Sequence, residues 1–303
     1  MHWKLFPQFF VTGILTGGVY ALVALGLVLI YKSSQVFNFA QGTLLMFGAF
    51  VCWHFLVPLG WPLWLSLIAA IIVAVLMGLL IERLALRPLI GQPILATIMM
   101  TLAMAELIKG LSILIWGSVR QVYPELFPLK PLIIPLGGDL RIVLKLPLVW
   151  SFGIAMAGVA LFALFFRYTK AGLAMRAAAE DHQLAQSVGL NVRRIFGVAW
   201  AISGVVALAG GVLIGSIAGV EATLANVGLL AFPAVLFGGL ESMAGAIIGG
   251  LTVGVVESLA SGLPANPDIR ALGLGEIAPY VVMLLVLLFK PDGLFGLERI
   301  ERI

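Results

Sequence analysis

Glu106 and Lys109 stand three residues apart in an otherwise apolar run, a spacing that puts a carboxylate and an ammonium on one face of a helix. Charges so placed in a bilayer cost roughly 2.5–3.5 kcal/mol each on insertion scales, so they either pair with each other or face a polar interior. As a pair they are structural. On a solute path they would meet the charged ends of a zwitterion.

A second polar couple, Asn38 and Gln41, interrupts the run Val36–Ala49 (VFNFAQGTLLMFGA). Interrupted apolar segments often line a path, whereas in an ordinary helix such side chains bond a neighbouring helix. The third concentration lies in Thr169–Leu190 (TKAGLAMRAAAEDHQLAQSVGL), where Arg176, Glu180, Asp181 and His182 flank an Ala-rich centre. Alanine favours a helix, and Gly189 supplies a stop. The spacing predicts one face of Leu173, Ala177, Leu184 and Val188 and another of Arg176, Glu180 and Gln183. Such a helix suits either the membrane surface or a groove on another protein.

Enzyme signatures are scarce. No Gly immediately precedes a Lys, so there is no phosphate loop. His2, His54 and His182 lie far apart without an HExxH, and no GxSxG occurs. The single cysteine, Cys52, excludes an internal disulfide and a Cys-based metal site. The chain is expected to be no enzyme and to need no cofactor or metal.

The elements that must position these residues follow from composition. Of 303 residues, 62% are hydrophobic and only 11% charged, against about 25% charged in a soluble domain. Mean hydropathy is +1.14. Too little polar surface exists to cover such a chain in water, so it is an integral membrane protein facing lipid. Its net charge of +4 resides in short breaks between apolar runs, which argues against nucleic acid.

Apolar runs long enough for spans lie at about 9–30, 36–57, 62–81, 94–115, 148–166, 196–216, 227–240, 243–261 and 277–289. Phe9–Ile30 is longer than the apolar h-region of a signal peptide and reads as a first span. Leu67–Leu80 is apolar on every face, which favours helices over barrel strands. The expected fold is an all-α, polytopic helical membrane protein of about 8–10 transmembrane helices, with 36–49 and 227–240 as candidates for broken or re-entrant segments. Gly stripes such as Gly245, Gly249, Gly250 and Gly254 imply close helix packing.

Basic residues set the orientation. Lys32, Arg83, Arg87, Arg167, Lys170, Arg176, Arg193, Arg194, Lys290, Arg299 and Arg302 fall on one side, eleven in all. Only Lys4, Arg120, Lys130, Arg141, Lys145 and Arg270 fall on the other. The positive-inside rule puts the first set, and with it the Ala-rich helix, in the cytoplasm.

Four ordered strings carry a resemblance: Gly26–Ala49, Ala174–Gly211, Ala231–Glu257 (AFPAVLFGGLESMAGAIIGGLTVGVVE) and Lys290–Gly296 (KPDGLFG). Together they resemble the permease subunits of branched-chain amino-acid ABC importers, the Liv type, over nearly the whole chain. That resemblance implies a fold similar to the vitamin B12-type importer permeases. It also implies one transmembrane permease domain over 1–303, with 167–195 as a cytoplasmic coupling loop, in the bacterial inner membrane. The partners implied are a second homologous permease, two cytoplasmic ATP-binding subunits and a periplasmic solute-binding protein.

Arg176, Ala177, Ala178, Glu180, Asp181 and Gly189 match the family's coupling loop, and Asn38–Gly42 its Asn-Phe-Ala-His-Gly pattern, with Gln41 in place of His. Asn38, Gln41, Glu106 and Lys109 are then the candidates for the translocation path. Departures at Leu230, Glu241, Met243 and Ala244 bear on the solute, since the family also takes amides, urea and other small organic molecules. The rival reading is a secondary transporter or channel working alone, with Glu106, Lys109 and Glu257 as coupling groups.

Overall fold

A computed structural model describes residues 5–89, 91–137, 140–180, 182–187, 189–262 and 273–296. Each of the nine apolar runs forms a helix. In chain order these are α1 (Phe6–Ser34), α2 (Gln41–Leu56), α3 (Leu63–Ile81), α4 (Ile94–Trp116), α5 (Leu146–Tyr168), α8 (Val192–Ala218), α9 (Ala225–Gly238), α10 (Met243–Gly262) and α11 (Leu274–Phe289). Two short helices, α6 (Lys170–Glu180) and α7 (His182–Ser187), join α5 to α8. Among the described residues, six helices are long and apolar enough to cross a bilayer; α2, α9 and α11 are shorter. The protein is thus a polytopic all-α membrane protein.

One element departs from the expectation. Residues between α4 and α5 form an antiparallel hairpin of β1 (Pro131–Gly137) and β2 (Leu140–Lys145), with Pro131 opposite Lys145. In β2, Ile142 and Leu144 are buried while Arg141, Val143 and Lys145 are exposed, the period of two that a half-buried strand requires.

Contacts divide the chain into two units interleaved in sequence: Met1–Ala24, Glu125–Met156 and Leu230–Ile303, and then Leu25–Pro124 and Ala157–Leu229. In the first, α1 crosses α10 on glycines. A Cβ on Gly254 would stand 2.4 Å from the Gly17 Cα, and one on Gly250 2.4 Å from the Ala21 Cα. Backbones this close let Ser258 donate to the Phe9 carbonyl at 2.7 Å. Gln8 holds the edge of β2, donating to the Val143 carbonyl and accepting from its N–H, both at 2.7 Å. Beneath it Leu15 packs on Ile142 and Leu144. The tail folds onto the end of α9, where the N–H groups of Leu294 and Phe295 donate to Phe237 and Gly238.

In the second unit α2 is the buried centre, packed on α3 and α8. A Cβ on Gly211 would meet the Leu45 carbonyl at 2.1 Å and one on Gly78 the Trp200 carbonyl at 2.4 Å. Asn191 caps α8 by accepting from the Arg194 N–H at 3.1 Å. Outside the spans, Tyr123 donates to the Ala49 carbonyl at 2.7 Å. Burial, with Cys52 nearby, holds its phenol well above the ordinary value, so it remains a neutral donor.

Candidate functional site

The Ala-rich stretch is helical over Lys170–Glu180 and His182–Ser187. Thr169 starts α6: its hydroxyl accepts from the Gly172 N–H at 3.0 Å, the geometry of an N-cap. Arg176 turns back toward α5. Its guanidinium donates to the carbonyls of Phe166 and Arg167 and lies 5.4 Å from the centre of the Phe166 ring. A cation on the last carbonyls of a helix satisfies acceptors that have no partner within it. Gly172 permits the sharp turn, since a Cβ there would meet the Phe166 carbonyl at 2.3 Å.

These contacts fix which way α6 faces. Gly172, Met175 and Ala178 point inward, and Ala178 has no exposed surface. Leu173, Ala177 and Glu180 form the outer face, with Leu173 60% exposed. Ala177 faces out, Ala178 is packed within the chain, and Arg176 is a brace on α5. Gly189 is exposed with φ +86°, a left-handed turn that ends the segment. Asp181 lies outside the described residues, as do the side chains of Gln183, Leu184 and Val188.

Asn38, within the non-helical stretch 35–40, and Gln41, the first residue of α2, are both buried. Asn38 Nδ2 donates to Gln41 Oε1 at 2.9 Å, and the Asn38 Oδ1 accepts from the Ala40 N–H at 3.1 Å. Ser203 on α8 donates to the same Gln41 oxygen at 2.9 Å, and Gln41 Nε2 donates weakly to the Ser203 carbonyl at 3.5 Å. Val36–Ala49 is thus non-helical up to a turn at 39–40 and helical from Gln41, and its polar residues stitch that junction to α8. The weaker segment 227–240 behaves differently: α9 stays helical through Pro233.

Glu106 and Lys109 do not pair. α4 packs on its unit through Thr97, Thr101, Ala105, Ile108 and Ser112, which leaves Glu106 exposed and Lys109 half-buried. No ion pair joins them. Gly110 beside them has open space where a Cβ would stand. A carboxylate on the open face of a span requires polar cover that lipid does not provide.

An ion pair that the sequence reading passed over joins Arg87 to Glu82. Arg87 Nε donates to Glu82 Oε1 at 3.1 Å and Nη2 to Oε2 at 2.7 Å, with Glu82 buried. The five-residue segment Glu82–Leu86 is a π-helical turn, and this geometry brings the two side chains together.

The motifs therefore meet in pairs: Gly26–Ala49 with Ala174–Gly211 in one unit, and Ala231–Glu257 with Lys290–Gly296 in the other. The profile of the family described as "Branched-chain amino acid transport system / permease component" matches residues 9–289. The chain is 28% identical over 309 residues to the high-affinity branched-chain amino acid transport system permease protein LivH of Escherichia coli (strain K12), covering 98% of each. It is 31% identical over 296 residues to the probable branched-chain amino acid transport permease protein LivH of Methanocaldococcus jannaschii, covering 94% and 91%. The guanosine ABC transporter permease protein NupQ of Bacillus subtilis (strain 168) is 29% identical over 282 residues, covering 88% and 86%. Among solved structures, PsaBC from Streptococcus pneumoniae in complex with Fab is similar at a TM-score of 0.49 and 16% identity, covering 94% and 91%. A profile that runs from the first span to the last, through three of the four motifs, makes this chain a member of the permease-component family of branched-chain amino acid transport systems.

Proposed function

We propose that the protein is one transmembrane subunit of an ATP-driven importer in the bacterial inner membrane. It works with a second, homologous permease, two cytoplasmic ATP-binding subunits and a periplasmic solute-binding protein. The solute is a branched-chain amino acid or a related small polar organic molecule. The observation that carries this reading is α6. Thr169 and Arg176 brace it on α5, and its outer face of Leu173, Ala177 and Glu180 is left without cover. A braced helix with a small residue at its exposed centre transmits force from a partner's groove to the span beneath it. Glu106 adds support, because a charge on the open face of α4 is accommodated when a second permease and a watered path cover it. The relative named for guanosine favours a nucleoside as a second solute class.

The test is a pair of adjacent substitutions. Ala177→Arg adds a long cation to the exposed face while keeping helix propensity, so the permease is expected to insert in normal amount. An unpaired charge desolvated at an interface costs on the order of 2–5 kcal/mol, so co-purification with the ATPase and solute-stimulated ATP hydrolysis should fall more than tenfold. Ala178→Arg, in the packed face, should instead reduce the amount of folded permease. Full uptake and undiminished ATPase binding by the Ala177 variant would move the assignment to a transporter working alone.

A further inference from the structure

A cavity of about 190 Å³ lies in the second unit, where the ends of α1 and α3 meet the beginnings of α4 and α8. It stands beside Lys32 and Arg83, at the end that the basic residues assign to the cytoplasm. Neither the coupling helix nor Glu106 lines it. Its charged feature is the Glu82–Arg87 pair, Ser34, Gln35, Gln92 and Thr97 also line it, and its apolar walls include Phe37, Ile98, Phe196 and Trp200.

The chemistry of the pair is asymmetric. A guanidinium has five N–H donors, four of them paired on two edges. Glu82 occupies the side edge, through Nε and Nη2. The end edge, with one N–H of Nη1 and the second of Nη2, makes no hydrogen bond among the described residues. Glu82 is 2% exposed and Arg87 36%, and both line the cavity. Glu82 therefore fixes the plane of Arg87 and balances its charge when the cavity is empty. It leaves a preorganised fork of the geometry that takes a second carboxylate with two parallel bonds.

We propose that this cavity binds a small carboxylate with a branched apolar tail, held by the open edge of Arg87, with the tail against Phe37, Ile98, Phe196 and Trp200. The inference rests on the proposed function to the extent that a branched-chain amino acid is such a molecule. Its place at the basic end makes it a release-side site.

The test uses the full chain in phosphatidylcholine nanodiscs without the solute-binding protein, and measures equilibrium binding of radiolabelled leucine. Saturable binding is expected, competed by isoleucine and by 4-methylpentanoate, which keeps the carboxylate and the tail, and not by leucinol, which lacks the carboxylate. Glu82→Gln combined with Arg87→Met removes both charges, so neither is left buried without its partner, and should weaken binding at least tenfold. Ile98→Trp should do the same by filling the space without touching the pair. Thermal unfolding verifies that each variant is folded. Unchanged leucine affinity in both folded variants, or equal competition by leucinol, would overturn the site. So would an absence of leucine binding while an anionic lipid co-purifies with the wild type and not with the double variant. Leucine uptake by the assembled transporter, measured in parallel, separates the two readings. Uptake without binding to the cavity overturns the site alone, and absence of uptake of any amino acid overturns the solute assignment.

Discussion

Gln41 has no exposed surface and partners on three sides: Asn38, the Ser203 hydroxyl and the Ser203 carbonyl. Within a membrane protein each such bond contributes about 0.6–2 kcal/mol, and Gln41 joins a non-helical stretch to a span. Gln41→Leu is therefore expected to lower thermal stability by several degrees, read by fluorescence-detected size exclusion after heating. Gln41→His should retain most of it, because an imidazole both accepts and donates at that place. If Gln41→Leu stops uptake at unchanged thermal stability, the residue serves the solute path instead. Arg176 makes a related point. Its charge suggests an external partner, yet Nη1 and Nη2 donate to the end of α5.

Element packing here depends on the absence of side chains. Gly13 and Gly17 on α1 meet Gly250 and Gly254 on α10, and any Cβ at the crossing falls well inside van der Waals contact with backbone. Backbone cannot swing aside as the far end of a long side chain does, so overpacking here forces the helices apart. Gly250→Leu is expected to abolish monodisperse folded protein in detergent. Gly110→Leu on α4, with nothing within 4 Å of its Cβ position, should leave folding unchanged. Equal loss in both would show that glycine at these positions serves something other than the α1–α10 crossing. The hairpin follows another rule: it is too short to stand alone, and Leu15 together with the side chain of Gln8 anchors it.

At the scale of the molecule, orientation rests on the asymmetry of basic residues, and α6 and the Arg87 cavity share the basic side. With Cys52→Ala as background, a cysteine at the exposed Gln186 should react with an impermeant maleimide only in inside-out vesicles. One at Pro131, exposed on β1, should react only in intact spheroplasts. Reversed labelling would put α6 on the side that lacks ATP and end the coupling proposal. α1 belongs to one unit up to Ala24 and to the other from Leu25, and α5 and α9 are shared likewise. Each unit is therefore built from segments distant in sequence.

The sequence by itself determined the class of protein, the place of all nine apolar helices and the site of the polar connecting helix. Apolar length and all-round hydrophobicity are one-dimensional properties that a bilayer reads directly. The break before α2 was legible for the same reason, since Asn38 and Gln41 interrupt the apolar run. The hairpin left a signal in Arg-Ile-Val-Leu-Lys, whose alternation marks β2, but β1 is continuously apolar with Pro135 inside it and reads as loop. Only the tertiary structure decided orientation about each helix axis. Ala177 and Ala178 are chemically identical and about 100° apart on a helix, and alanine is indifferent to burial, so pattern carries no information on which one packs inward. Glu106 and Lys109 show the converse, because a spacing that permits contact does not compel it when the helix buries another face. Glu82 and Arg87 are five residues apart, a separation that an α-helix holds apart by about 140° and a π-turn brings nearly into line. No rule of spacing finds that pair until the turn itself is seen.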